Sequence, residues 1–324
     1  MRIAFLGAGK IAGVVVETLR RMEDELQLYA VAARDAERAE AFAKEFGFEK
    51  SYGSYEEMLR DDGVELVYIN TPHSHHAIHM EMCINAGKPV LCEKPFTTTA
   101  AESRRVLALA EQKGVFAEEA LWSRYAPLAE TVRDVVNSGR LGKIVSLHAN
   151  LGYNVGHLER LNSLNLSGGA LLDIGVYPLT FASICFGNDV ESFQSTALMS
   201  ASGVDQQSIT QLLYTNGRRA YIFCTSISLT DRSGSVYGTE GCAVVDNVNN
   251  FQKIEIFNAK NELVEIIHAP EQISGYEYQF RSAMSAIREG KLECAELPHA
   301  QIVITMELMD RIRHSWGMYY PAEN

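Results

Sequence analysis

Over roughly the first third of the chain, short apolar runs alternate with stretches whose apolar positions recur at helical spacing. Residues 1–6 (Met1-Arg2-Ile3-Ala4-Phe5-Leu6) predict a buried strand, and Val14, Val15, Leu19 and Met22 place one apolar stripe on the helix that follows. Leu26 to Ala33 predicts the second strand and Asp35 to Phe46 a helix, and Lys50 to Ser54 predicts a short strand and turn. Ser54 stands where it caps a helix over Tyr55 to Arg60. Leu66 to Asn70 and Pro89-Val90-Leu91 are further buried runs. Thr99 begins a helix over Ala100 to Lys113 with Glu102 at capping-box distance, and Val115 to Leu121 closes the series as its last strand. Strands without internal alternation, separated by helices, predict a parallel sheet covered on both faces.

The rhythm changes at Trp122. A helix to about Ser138, a strand from Ile144 to Asn150 and a polar loop over 152–167 precede an apolar helix led by Gly168-Gly169. From about 190 to 268 come short strands such as Thr210 to Tyr214, Arg219 to Ser226 and Ile254 to Phe257. Thr215-Asn216-Gly217-Arg218 marks a hairpin between two of them. Helices at about 275–289 and 298–315 close the chain. The expected fold is therefore α/β, an N-terminal doubly wound Rossmann sheet over 1–121 and a C-terminal α+β domain over 122–324 with a large, mostly antiparallel sheet.

Three stretches carry candidate chemistry. Gly7-Ala8-Gly9-Lys10-Ile11-Ala12 falls between the first strand and the first helix. Gly7 suits a tight turn, Gly9 lets the backbone approach a pyrophosphate, and Ala12 lets the helix lie close to the sheet. The helix start then offers free N–H groups and positive dipole to phosphate. Arg34 ends the second strand with Arg38 one helical turn on, a placement that suits a 2′-phosphate and favours NADP, with NAD possible. Two other readings of these residues stand beside it: Arg34 stacking on adenine while Asp35 takes the ribose, or Arg38 pairing with a surface glutamate. The loop Thr71-Pro72-His73, ending the strand 66–70, is expected beside the nicotinamide, with His76 and, after the next strand, Glu93 and Lys94 as further cofactor contacts. His75, His79 and Cys83 share one helical face at i, i+4 and i+8, as metal ligands can, but no carboxylate or cysteine pair completes a zinc spacing. A cofactor-contacting or capping role is favoured for the cluster, and no metal is expected.

Cys92-Glu93-Lys94-Pro95-Phe96 is the second stretch: Lys94 ends a buried strand at the carboxyl edge, where open α/β sheets bind ligands. The competing reading makes Glu93 and Lys94 a solvated charge pair. The third is Gly168 to Pro178, whose helix carries Asp173 and Tyr177 four residues apart. A phenol is a poor base near neutral pH unless a cation such as the Lys94 ammonium stabilises the phenolate. Tyr177 would then act as general base for an alcohol, Lys94 would tune it and bind the substrate oxygen, and Asp173 would orient the group. A purely structural Asp173–Tyr177 hydrogen bond is the alternative.

Length and charge bound the rest. At 324 residues two domains are expected, and 47% hydrophobic with 22% charged residues is ordinary for a globular chain. A net charge of −12 argues against nucleic acid and anionic membranes as partners. Neither a signal-peptide core nor an apolar run of bilayer-spanning length stands out, so a cytoplasmic location is expected. The six cysteines are scattered without a C-x-x-C pair, so free thiols are expected.

The glycine motif, Glu93-Lys94-Pro95 and Gly168-Gly169-Ala170-Leu171-Leu172-Asp173-Ile174-Gly175-Val176-Tyr177 together resemble the glucose–fructose oxidoreductase / inositol dehydrogenase / rhizopine catabolism (Gfo/Idh/MocA) family over nearly the whole chain. Arg34 after Ala32-Ala33, the string Glu119 to Tyr125 and tyrosine at 177 are similar to its branch of dimeric dihydrodiol dehydrogenases and NADP-dependent D-xylose dehydrogenases. Inositol dehydrogenases typically carry histidine where Tyr177 stands, so myo-inositol is disfavoured. The resemblance implies an NAD(P)-dependent oxidoreductase moving hydride to or from a small, sugar-like or cyclic diol substrate. It implies a homodimer or homotetramer packed through the C-terminal sheet. It makes Lys94 and Tyr177 catalytic with Asp173 in support, sets His73 and Trp122 beside the nicotinamide, and offers Arg160 and Asn162 as substrate contacts. A non-catalytic redox sensor of the same fold is the alternative, and the presence of both Lys94 and Tyr177 favours the enzyme. A family-like glycosidase with tightly held NAD is a third reading.

Overall fold

The computed structural model describes residues 1–323, which divide into two compact units: Met1–Leu121 with Gln272–Val303, and Trp122–Glu271 with the chain from Ile304 onward.

In the first unit, β1 (Arg2–Leu6), β2 (Gln27–Ala32), β3 (Lys50–Tyr52), β4 (Leu66–Ile69), β5 (Val90–Glu93) and β6 (Ala117–Ala120) form one six-stranded sheet in the order β3-β2-β1-β4-β5-β6. All of its strand pairs are parallel. Helices α1 (Lys10–Leu19), α2 (Ala36–Phe46), α3 (Tyr55–Leu59), α4 (His76–Asn85) and α5 (Ala100–Lys113) connect them. Strand order reverses between β1 and β4, so the chain leaving Leu6 and the chain leaving Ile69 diverge from one point, where such sheets bind ligands. The predicted caps are in place: Asp35 accepts from Arg38 N, Ser54 from Glu57 N, and Thr99 from Glu102 N. Every residue of β4, β5 and β6 is buried, as a sheet covered on both faces requires. This includes Glu118 and Glu119, whose carboxylates accept backbone N–H groups of Cys294 and Phe96 at 2.7 and 2.8 Å.

The expected assignment of all of 122–324 to one domain needs correction, because Gln272–Val303 belongs to the first unit. Two needs of the first unit explain this. Edge strand β6 must satisfy its outer backbone groups, and Ala117 N donates to Leu292 O at 3.2 Å. Tyr68 also requires apolar cover, supplied by Phe280 of the helix Tyr276–Arg288 with ring centroids 5.3 Å apart. Arg281 of the same helix grips Glu25 at 2.7 Å.

The second unit is built on an eight-stranded sheet: β7 (Ile144–Gly152), β8 (Val190–Met199), β9 (Asp205–Tyr214), β10 (Arg219–Thr225), β11 (Gly234–Gly238), β12 (Gly241–Val245), β13 (Lys253–Asn258) and β14 (Leu263–His268). Its order is β14-β13-β12-β11-β7-β10-β9-β8, and β7 with β10 is the one parallel pair. Residues 215–218 turn between β9 and β10, with Tyr214 N bonding Arg218 O at 3.0 Å, as the Asn-Gly signal predicted. One sheet face is covered by helix α7 (Val176–Phe186), which packs on β7, β10 and β11 and also against α6 (Pro127–Asn137). By length and mean hydropathy, 1.5, the segment Leu164–Phe186 does reach membrane-spanning proportions, contrary to expectation. It is nevertheless 94% buried within the protein and serves as a core helix. The opposite face presents Ile209, Tyr221 and Tyr237, which are 55%, 37% and 38% exposed.

Candidate functional site

The first unit's site is assembled around Gly7, whose φ of +115° belongs to the region that favours glycine. A Cβ there would lie 2.8 Å from Asn70 Oδ1. Gly9 is the N-cap of α1 and brings no side-chain cap, so the first-turn N–H groups face outward. Ala12 is fully buried, Ile11 half-buried and Lys10 exposed. These features fit a dinucleotide: a cradle that any side chain at Gly7 would fill, and a helix start left open for phosphate.

The basic residues take distinct places. Arg38 donates through Nη2 to Ala8 O at 2.8 Å and so braces the glycine turn. Asp35 is engaged as the α2 cap by Arg38 N at 3.2 Å. Arg34 is exposed at the end of β2. Its charge helps depress the titration of His75 and His79, second to their burial for His75 and third after burial and His75 for His79. An uncommitted guanidinium beside a carboxylate already used as a cap is the arrangement that suits a 2′-phosphate.

The loops after β4 and β5 meet through His76. Its Nδ1 lies 2.8 Å from Pro95 O and its Nε2 2.8 Å from Thr71 O, and the ring is fully buried. Burial, reinforced by His73, pushes its titration down to about 3. A neutral imidazole has one N–H and donates to only one of these two carbonyls, so His76 sits packed between the Thr71-Pro72-His73 loop and the Lys94-Pro95 turn instead of presenting its ring as a direct cofactor contact, the role expected from sequence. His73 is buried with its ring edge-on to His76. His79 bonds Thr71 Oγ1 at 2.9 Å and stacks on His75, and burial lowers it to about 4. Cys83 is buried, and burial pushes its thiol up. Among the described residues no group of three His, Cys, Asp or Glu side chains is placed to hold a metal. Glu93 accepts a hydrogen bond from Tyr68 OH in the core, and half-buried Lys94, the next residue, is joined to Pro95 by a cis peptide.

In the second unit, Tyr177 is 7% exposed and its hydroxyl accepts the indole N–H of Trp122 at 3.1 Å. The helix expected to carry Asp173 and Tyr177 as one α-helical face is instead π-helical over Leu171–Gly175 and α-helical only from Val176. Such π turns re-aim side chains and recur at functional sites. Asp173 receives the fork of Arg160, Nη1 to Oδ1 at 2.9 Å and Nη2 to Oδ2 at 3.4 Å. Asn162 donates to Gly156 O and holds the loop that carries Arg160.

Two participants escaped the sequence reading. Asp205, 1% exposed, accepts Leu171 N at 2.7 Å and caps the π turn from a distant strand. A Cβ at Gly169 (φ +118°) would lie 2.3 Å from its Oδ1, which explains the glycine. No spacing in the sequence links Asp205 to that turn. Asn70 lies beneath Gly7, and its signal was a polar residue directly following the apolar run 66–69.

The chain matches the oxidoreductase family with an NAD-binding Rossmann fold, GFO_IDH_MocA, over residues 1–120, and the GFO/IDH/MocA C-terminal domain over residues 129–244. It is 32% identical to the trans-1,2-dihydrobenzene-1,2-diol dehydrogenase of Mus musculus, covering 100% of this chain and 99% of that one. Against the Homo sapiens enzyme of the same name the identity is 33%, with 95% and 94% covered. Among solved structures, KijD10, a 3-ketoreductase from Actinomadura kijaniata in complex with NADP, superposes with a TM-score of 0.84 at 25% identity, covering 97% of each chain. Levoglucosan dehydrogenase in complex with NADH and levoglucosan shares the fold, with a TM-score of 0.86 at 18% identity over 98% of this chain and 97% of that one.

Proposed function

The chain belongs to the GFO/IDH/MocA oxidoreductase family, and from that premise we propose that it is an NADP-preferring dehydrogenase or reductase acting on a secondary alcohol, or its ketone, in a cyclic diol or sugar-like substrate. The observation that carries the reading is Tyr177, a buried phenol whose oxygen is held by an indole N–H at 3.1 Å on a helix entered through a π turn. The dihydrodiol dehydrogenase relatives support the cyclic diol, and the 3-ketoreductase neighbour supports a ketone as the oxidised form.

Bound dinucleotide supplies or accepts the hydride. Tyr177 takes the hydroxyl proton in oxidation and returns it in reduction, and the Trp122 N–H steadies its oxygen through both. Lys94 contributes an ammonium that favours a developing alkoxide. Asp173, forked by Arg160, fixes the orientation of the turn. Thr71, Pro72 and His73 form the wall at the end of β4, His76 and Glu93 fix the two loops from behind, and Arg34 selects the 2′-phosphate. Fluorescence titration with NADPH and NADH, followed by a panel of aldoses, polyols, cyclic diols and their ketones, tests this directly. The Lys94→Ala variant is expected to lose about three decades in kcat, while its NADPH affinity moves by less than about tenfold. Unchanged kcat would remove Lys94 from the chemistry.

The protein is proposed to pair with a second copy through the open face of the eight-stranded sheet. In support, Tyr221 and Tyr237 pack their rings against His148 at 4.8 and 5.3 Å, with Ile209 and Leu198 exposed along the same face. An apolar, aromatic patch of this kind is self-complementary across a two-fold axis.

A further inference from the structure

Tyr320 lies on the segment that follows the helix His299–Ser315 and is 1% exposed. Its hydroxyl donates to Gly168 O, one residue before the left-handed bend at Gly169 (φ +118°) that leads into the π turn. Gly168 also lies against the loop that carries Arg160: a Cβ on it would be 2.6 Å from Leu161 O and 2.7 Å from Arg160 O, and Gly169 N donates to Leu161 O at 3.0 Å. Asp205 takes Leu171 N two residues further on. Three separate segments of the second unit therefore pin the entry to the turn, and Arg160 reaches back to fork Asp173 inside it. A shift of Gly168 would displace both the turn and the arginine that grips it.

Tyr320 is itself firmly held. Arg313 is fully buried, with its guanidinium carbon 4.9 Å from the Tyr320 ring centroid. It pairs with Asp310 at 2.7 Å and with Glu323, and Glu323 also accepts Tyr320 N at 2.7 Å. Desolvating such an ion cluster is costly, and apolar side chains of like volume would pack around a ring as well. What the cluster adds is direction, because its charge-assisted bonds fix the backbone and the ring of Tyr320 together. We propose that Tyr320 is a positioning residue for proton transfer: through Gly168 it sets the place of the turn and helix that carry Asp173 and Tyr177. The inference rests on Tyr177 as the proton-transfer group and extends that reading to a residue on a distant segment of the chain.

The experiment compares wild type, Tyr320→Phe, Tyr177→Phe and the double variant in steady-state assays on whichever member of the substrate panel wild type turns over, with circular dichroism at the assay temperature. Wild type without turnover overturns the oxidoreductase reading itself, and undiminished kcat in Tyr177→Phe overturns the role of Tyr177. With both in place, Tyr320→Phe keeps the ring against Arg313 and removes only the bond to Gly168 O. It is expected to lose about 10- to 100-fold in kcat, with KM and NADPH affinity within about twofold and native circular dichroism. In the Tyr177→Phe background the same substitution is expected to cost less than about twofold more, since a residue that acts through Tyr177 has nothing left to position. Unchanged kcat in Tyr320→Phe, a loss confined to KM, a loss that multiplies in full in the double variant, or a loss accompanied by unfolding at the assay temperature would each overturn the assignment, the last two by showing that the hydroxyl serves stability alone.

Discussion

Replacing Asp205 with asparagine tests how the second unit holds the π turn over Leu171–Gly175. Burial is the largest influence on the Asp205 carboxyl and raises it from 3.8 to about 7, against the N–H groups of Leu171 and Ala170, which lower it. The folded state therefore keeps a proton that the unfolded state has already released. Stability from this group is full below the unfolded pKa, declines as pH rises between 3.8 and about 7, and is gone above that. Each pH unit inside the window is worth about 1.4 kcal/mol, so the whole window holds about 4 kcal/mol. Asparagine keeps one acceptor for Leu171 N and cannot titrate. The stability difference between wild type and Asp205→Asn should therefore move by about 3 kcal/mol between pH 5 and pH 8, in the direction that favours wild type at pH 5. Both tryptophans, Trp122 and Trp316, lie in the second unit, so urea unfolding followed by tryptophan fluorescence reports that unit. The relative midpoint shift should be about 1–2 M urea. Equal differences at both pH values would refute the reasoning and show Asp205 held as an ionised cap by its N–H donors alone.

Other predictions follow from single side chains. Arg34→Ala should weaken NADPH by about 10- to 100-fold and NADH by little, read by fluorescence titration, and equal losses would detach Arg34 from the 2′-phosphate. Trp122→Phe removes the donor to Tyr177 and should lower kcat by about tenfold with KM nearly unchanged in steady-state assays, whereas a pure KM effect would make Trp122 a substrate contact only. The double variant Ile209→Glu, Tyr221→Glu should sediment as a monomer in analytical ultracentrifugation while its far-ultraviolet circular dichroism stays native. An undisturbed dimer would place the interface elsewhere.

Much of the first unit was legible because its signals are local. Gly7 and Gly9 meet a strand and a helix within a few residues, Ser54 and Thr99 cap helices that begin at the next residue, and the buried strands are continuous apolar runs. The candidate residues were legible for a related reason: Lys94 directly follows a buried strand, and Tyr177 punctuates an apolar helix. The spacing that joined Asp173 to Tyr177 assumed α geometry, and the π turn over Leu171–Gly175 replaced it.

The sequence by itself determined two units of different rhythm, the nucleotide-binding cradle and the residue types available for proton transfer, because period, caps and turns act over four or five positions. Only the tertiary structure decided that Gln272–Val303 returns to cover the first unit, that His76 sits packed between two loops with a carbonyl 2.8 Å from each ring nitrogen, and that Asp205 caps a turn 34 residues earlier in the chain. Those partners satisfy buried polar groups and an open sheet edge, needs that arise when the chain packs and that choose partners by proximity in space, where no periodicity along the sequence records them.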